Sequence, residues 1–134
     1  MNQEVLTKAV LDAAFKVHTL LGPGLLESVY EAALARELIK HGHRVERQKA
    51  IAFYYDNELL EEVGFRADMI VDGLVLVELK SVTEVTTLFK KITENYLRLI
   101  PLQIELLLNF NEAHLEDGIT RLVNGAEGKP FFGS

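Results

Sequence analysis

The strongest constraint on the fold lies in residues 65–81. Two runs rich in β-branched and apolar residues, Phe65–Val71 and Leu74–Ser81, flank Asp72-Gly73, a strong hairpin signal. The second run is apolar except for Glu78 and Lys80, which predicts a central strand buried on both faces. A strand of that kind needs layers on both sides, so a mixed α/β architecture follows.

The neighbouring segments supply those layers. Val5, Ala9, Val10, Ala13, Ala14, Val17, Leu20 and Leu21 recur at three and four residues and predict a helix from Asn2 to Leu21, broken by Gly22-Pro23-Gly24. Leu26, Val29, Ala33, Leu34 and Leu38 predict a second helix from Leu25 to His41, with Gly42 as its stop. Strands are expected at Val45–Tyr55 and, as a short charged edge, at Glu58–Val63. A third helix spans Thr86–Ile100, with Leu88, Phe89, Ile92, Tyr96, Leu97 and Leu99 inward and Pro101 at its end. Leu102–Phe110 reads as another buried strand, and Leu115–Asn124 as a last strand rather than a short helix. The order α-α-β-β-β-β-α-β-β suits a mixed sheet flanked by helices, in one domain over residues 1–124 with a tail over 125–134. Phe131 and Phe132 in that tail are available to dock on the body or on a partner.

Several classes are excluded. The 134 residues contain no cysteine, so neither a disulfide scaffold nor a thiolate zinc site is available. No apolar run approaches the roughly 20 residues of a membrane-spanning helix, and charges at Glu4, Lys8, Asp12 and Lys16 interrupt any signal-peptide core. A cytoplasmic protein is expected. The formal charge of −6 argues against broad non-specific nucleic-acid binding but leaves room for a local basic groove or a divalent cation. No Walker or dinucleotide fingerprint occurs, Ser28 and Ser81 lack an evident base, and the four histidines lack zinc-ligand spacing.

The chemistry is carried by charges inside the apolar strands. Asp68, Glu78 and Lys80 are costly there unless paired or bound to a metal. Alternation puts Arg66 with Asp68 on one strand face and Glu78 with Lys80 on one face of the next. A two-residue loop at Asp72-Gly73 would pair Asp68 with Val77 and turn Glu78 away. A three-residue loop, or an equivalent bulge, pairs Val71 with Val75 and Asp68 with Glu78, and this register is the one predicted. Adjacent carboxylates repel, and a hard divalent cation such as Mg²⁺ or Mn²⁺ relieves that repulsion. Such an ion can activate water and stabilise charge on a phosphodiester, with Lys80 assisting. The plainer alternative is a salt-bridge network, Asp68 with Arg66 and Glu78 with Lys80 or a neighbour. Lys90, Lys91 and Arg98, with Arg47 and Lys49, form either a phosphate-contacting rim or a solvated face.

Asp68 followed after nine residues by Glu78-Leu79-Lys80 resembles the PD-(D/E)XK nuclease signature. Gly24-Leu25-Leu26-Glu27-Ser28-Val29-Tyr30 resembles the motif of the GxxExxY protein family, a branch of that superfamily. The segments His18–Pro23, Gly64–Asp68, Asn95-Tyr96-Leu97 and Leu108-Asn109-Phe110 are similar to that family too. The resemblance implies a restriction-endonuclease-like αβββαβ core. It implies metal ligation by Asp68, Glu78, the Leu79 carbonyl and Glu27, and a catalytic Lys80. The expected activity is Mg²⁺- or Mn²⁺-dependent hydrolysis of DNA or RNA, with Arg66, Tyr30 and Tyr96 as substrate contacts. Ile92 stands where relatives usually carry glutamine, and Phe89 where a polar residue is frequent. This departure, with the negative charge, keeps open a nuclease-fold module that acts by binding protein or nucleic acid. Action on a small phosphorylated compound is a third reading. A chain of this size is compatible with a homodimer.

Overall fold

The computed structural model describes residues 2–98 and 102–123. The expected tail, Leu99 and the Pro101 helix stop lie outside the described residues.

Helix α1 (Gln3–Leu21) starts at Asn2, whose side chain accepts the Glu4 N–H. It ends at Gly22, whose φ of 70° is accessible to glycine without strain and lets its N–H return to the His18 carbonyl at 2.8 Å. Helix α2 (Glu27–Lys40) follows. Strands β1 (Val45–Tyr55), β2 (Glu58–Val71) and β3 (Val75–Lys80) form an antiparallel meander. Helix α3 (Thr87–Leu97), capped by the Thr86 hydroxyl on Phe89 N–H, carries the chain to β4 (Ile104–Asn109), which lies parallel to β3. A 3-10 turn at Leu115–Gly118 leads into β5 (Ile119–Val123). The sheet order is β1-β2-β3-β4-β5, and β3–β4 is its parallel pair, so the expected mixed α/β fold is present.

The two faces of the sheet are unequal. Leu6, Val10, Ala14 and Val17 of α1 pack with Tyr30, Leu34 and Leu38 of α2 on one face. Met69, Val71, Val75, Val77, Leu79, Ile104, Leu106 and Leu108 meet them there. On the other face Ile70 and Leu76 meet Leu97 of α3, with Leu122 at the margin. Alternation therefore puts Glu78, Lys80 and Glu105 on the thinner, α3-covered face, while the Asp68 carboxyl lies at the seam between β2 and β3, accepting Leu79 N–H and the Gln48 amide.

Three expectations are corrected. The segments Glu58–Val63 and Phe65–Val71 are one strand running through Gly64. A Cβ at Gly64 would lie 2.8 Å from Phe53 Cβ, because β1 is irregular between Ile51 and Phe53 and approaches closely. The buried stripe of α1 is Leu6-Val10-Ala14-Val17, leaving Val5 and Leu20 exposed, while Leu26 and Val29 at the start of α2 are exposed as well. On α3, Thr93 and Leu97 are buried, whereas Leu88, Ile92 and Tyr96 are open to solvent. The helix stands off the outer part of the β1–β2 ribbon, so most of its apolar side is uncovered.

Candidate active site

The turn between β2 and β3 sets the site. Asp72 and Gly73 both adopt positive φ, 52° and 67°, and Leu74 N–H closes the turn onto the Val71 carbonyl at 3.0 Å. Leu74 is absorbed as an extra residue, so Val71 faces Val75, Ile70 faces Leu76 and Met69 faces Val77. This is the three-residue register expected from the sequence. It brings Asp68 beside Glu78: Asp68 N–H donates to Glu78 Oε1 at 3.3 Å, and Leu79 N–H donates to Asp68 Oδ2 at 2.9 Å. Asp72 itself is anchored by His43 Nδ1 at 2.8 Å and by Arg44 N–H, which hold its carboxyl below the usual range although burial works against them.

Neither salt bridge of the plainer reading forms. Among the described residues no ion pair joins Arg66 to Asp68 or Lys80 to Glu78. Burial, the charge of Asp68 and the nearness of Glu105 push the Glu78 carboxyl up to about 9. Glu105 is a further carboxyl that sequence reasoning missed. It is 1% exposed, its Oε2 has no hydrogen-bond partner, and burial followed by the Asp68 charge raises it to about 8. The signal was present as a lone acid in the apolar run Ile104–Asn109, the same signal that marks Asp68 and Glu78.

Asp68 is held from a second direction. Gln48 sits in β1 with φ of 50°, an unfavourable conformation for a residue with a side chain. Its amide donates to Asp68 Oδ1 at 3.2 Å and to Glu31 Oε1 at 2.8 Å, while Arg47 Nε donates to Glu31 Oε2 at 3.0 Å. Glu31 is buried on α2, one turn after Glu27. Nothing in the local sequence around Gln48 signals this bridge, because it depends on the strand irregularity that aims the side chain.

The other expected residues separate into groups. Lys80 lies with its Nζ 4.5 Å from the centre of the Phe89 ring, a cation–π contact. It shares a pocket of about 230 Å³ with Arg66, Glu78, Phe89, Tyr96 and Glu105. Arg66 is exposed and donates to the Gln48 carbonyl at 3.4 Å. Glu27 is held at the end of β3, its Oε2 accepting Ser81 N–H at 3.3 Å. Tyr30 is corrected from substrate contact to scaffold. It is fully buried, stacked on Phe110 at 4.6 Å, with its hydroxyl donating to the Gly22 carbonyl and accepting Leu25 N–H. It thereby fixes the loop that presents Glu27. His18 similarly contacts the Glu112 carbonyl and is a scaffold residue. The expected basic rim is largely neutralised: Arg47 pairs with Glu31, Lys49 with Glu46, and Lys91 and Arg98 with Glu94.

The donor set suits a hard cation in part. Asp68 and Glu78 lie side by side, and burial together with the charge of Asp68 makes Glu78 retain its proton, the situation a divalent ion relieves. Among the described residues no group of three or more His, Cys, Asp or Glu side chains is placed to hold a metal ion. The carboxyls that come nearest to such a group are the Asp68–Glu78 pair, with Glu27 apart at the strand end.

A family model described as the PD-(D/E)XK nuclease superfamily matches residues 4–122. No curated protein and no solved structure matches the chain. No helix among the described residues is long and apolar enough to cross a membrane.

Proposed function

Because the chain belongs to the PD-(D/E)XK nuclease superfamily, we propose that it hydrolyses phosphodiester bonds of DNA or RNA at the Asp68–Glu78 pair with Mg²⁺ or Mn²⁺. Nuclease-type chemistry is the functional class of that superfamily. The observation that carries the finer reading is the meeting of two carboxyls on adjacent strands, with no basic side chain among the described residues in an ion pair with either. A bound cation would neutralise charge on the phosphoryl group and favour ionisation of the attacking water. Asp68, steadied by Gln48 and Leu79 N–H, and Glu78 would hold that ion, with Glu27 as the further carboxylate near it. Lys80, parked on Phe89, places an ammonium where negative charge develops. Arg66 meets a phosphate and Tyr96 the flanking nucleotide. The Gly24–Tyr30 motif supports placement in the GxxExxY branch, and we assign the protein to the cytoplasm, as a monomer or homodimer.

The test is a nuclease assay on single- and double-stranded DNA and RNA across Mg²⁺ and Mn²⁺ concentrations. Wild type cleaves, and Lys80→Ala and Asp68→Asn lose at least about a hundredfold, the scale of a missing electrostatic stabiliser. Wild-type cleavage no greater than that of Lys80→Ala under every metal rejects catalysis. A second reading, a binding module on the nuclease fold, is favoured by Ile92 and Phe89, which place apolar side chains in the pocket wall. Micromolar Mn²⁺ affinity counts against it.

A further inference from the structure

A second cavity adjoins the carboxyl pocket. It measures about 630 Å³ and lies between α3 and the outer β1–β2 ribbon, walled by Phe53, Val63, Phe65, Ile92, Asn95 and Tyr96. Phe65, Ile92 and Tyr96 also line the carboxyl pocket, so the two cavities share a wall. Phe65 and Tyr96 meet at 4.9 Å, tilted by 44°, and Tyr96 and Ile92 are each 42% exposed. A largely apolar trough with aromatic walls therefore lies alongside the pocket that holds Arg66, Glu78 and Lys80.

We propose that this trough binds the unstacked bases of a single-stranded nucleic acid whose backbone crosses Arg66 and Lys80. The proposal rests on the nuclease reading and narrows its substrate. Duplex binding draws its affinity from many phosphate contacts by lysine and arginine. Here Arg47, Lys49, Lys91 and Arg98 are paired with acids, and the chain carries a formal charge of −6. Arg66 and Lys80 in the neighbouring pocket suit one or two phosphates rather than a duplex track. A duplex keeps its base faces stacked inside and has nothing to offer the Phe53, Phe65 and Tyr96 rings. A single strand presents those faces, and aromatic walls bind them with little sequence preference. The cavity volume falls within the range of ordinary ligand pockets and accommodates a base with its sugar. The wall it shares with the carboxyl pocket sets the next phosphate beside the reactive end.

The test uses the full chain in Ca²⁺ and measures anisotropy of labelled single-stranded DNA and RNA, the matching duplexes, and a strand of equal length with abasic sites. The intact single strand binds at least about tenfold tighter than the duplex or the abasic strand. Phe53→Ala and the exposed-site variant Tyr96→Leu each weaken intact-strand binding by about fivefold to a hundredfold and narrow the gap to the abasic strand. Circular dichroism confirms that both variants fold. Equal binding and cleavage of duplex or abasic strands overturns the trough assignment while leaving the nuclease reading intact. Absence of both binding and cleavage for every nucleic acid overturns the two together. A dimer that Tyr96→Leu dissociates, with oligonucleotide affinity unchanged, also overturns it and makes a second copy of the chain the occupant.

Discussion

Glu78 and Glu105 dominate the energetics at the scale of single residues. Their carboxyls titrate near 9 and 8 in the folded chain, against an ordinary value of 4.5. The folded state therefore retains protons that the unfolded chain releases, and stability falls wherever this difference persists. The contribution is complete below 4.5 and is lost as pH rises toward 8 and 9. Thermal melts in the presence of a chelator should show the midpoint dropping steadily across that window, and Glu105→Gln should flatten the drop. A midpoint that rises from pH 5 to pH 9 would contradict the electrostatic picture. Gln48 makes the complementary point. Its positive φ favours glycine, yet its amide bridges Glu31 and Asp68. Gln48→Gly relieves backbone strain, so the melting temperature should change little or rise, while cleavage falls by about tenfold to a hundredfold as Asp68 loses its support. Parallel melts and single-turnover assays separate the two effects, and an equal loss of stability and activity would reduce Gln48 to a packing residue.

Among the elements, the β2–β3 hairpin decides whether a site exists. Asp72 and Gly73 take the two left-handed positions and Leu74 is the extra residue that brings Asp68 beside Glu78. Deleting Leu74 leaves a two-residue turn and turns either β2 or β3 over, driving Glu78 toward the face occupied by Val77 and Leu79. That variant should lose its cooperative thermal transition by circular dichroism, and a native-like melt with retained cleavage would show that the register is not decisive. This register was legible in sequence because strand alternation and Asp72-Gly73 leave two choices, and only one unites the charges. The Gln48 bridge was not legible, since an irregular strand rather than a periodic one aims that side chain. The uncovered side of α3 was likewise hidden: its apolar spacing at Leu88, Ile92 and Tyr96 is that of a buried helix, and only the stand-off from the ribbon shows otherwise. Glu105 was legible in principle, because it breaks an apolar strand as plainly as Glu78 does.

Taken as a whole, the molecule divides its labour between the two sheet faces. The α1–α2 face carries the larger apolar cluster and supplies the stability. The α3 face carries a small cluster, the acids Glu78 and Glu105 with Asp68 at their margin, and an open trough. Such a division lets one side hold destabilising charge while the other holds the fold, as functional sites commonly require. The overall charge of −6 fits the same scheme, since affinity for a strand then comes from base faces and a cation rather than from a basic surface. Raising salt should accordingly weaken single-strand binding only modestly, with a slope matching the one or two phosphates met by Arg66 and Lys80. A steep slope in the same titration would point to a basic surface elsewhere.

The most direct measurement is calorimetric titration of Mn²⁺ into the full chain and into Asp68→Asn at neutral pH, repeated in two buffers of different ionisation enthalpy. The account predicts a saturable site in the wild type, release of the Glu78 proton to the buffer as the ion binds, and loss of that site in the variant. No binding, or binding that is identical in Asp68→Asn and releases no proton, would contradict it.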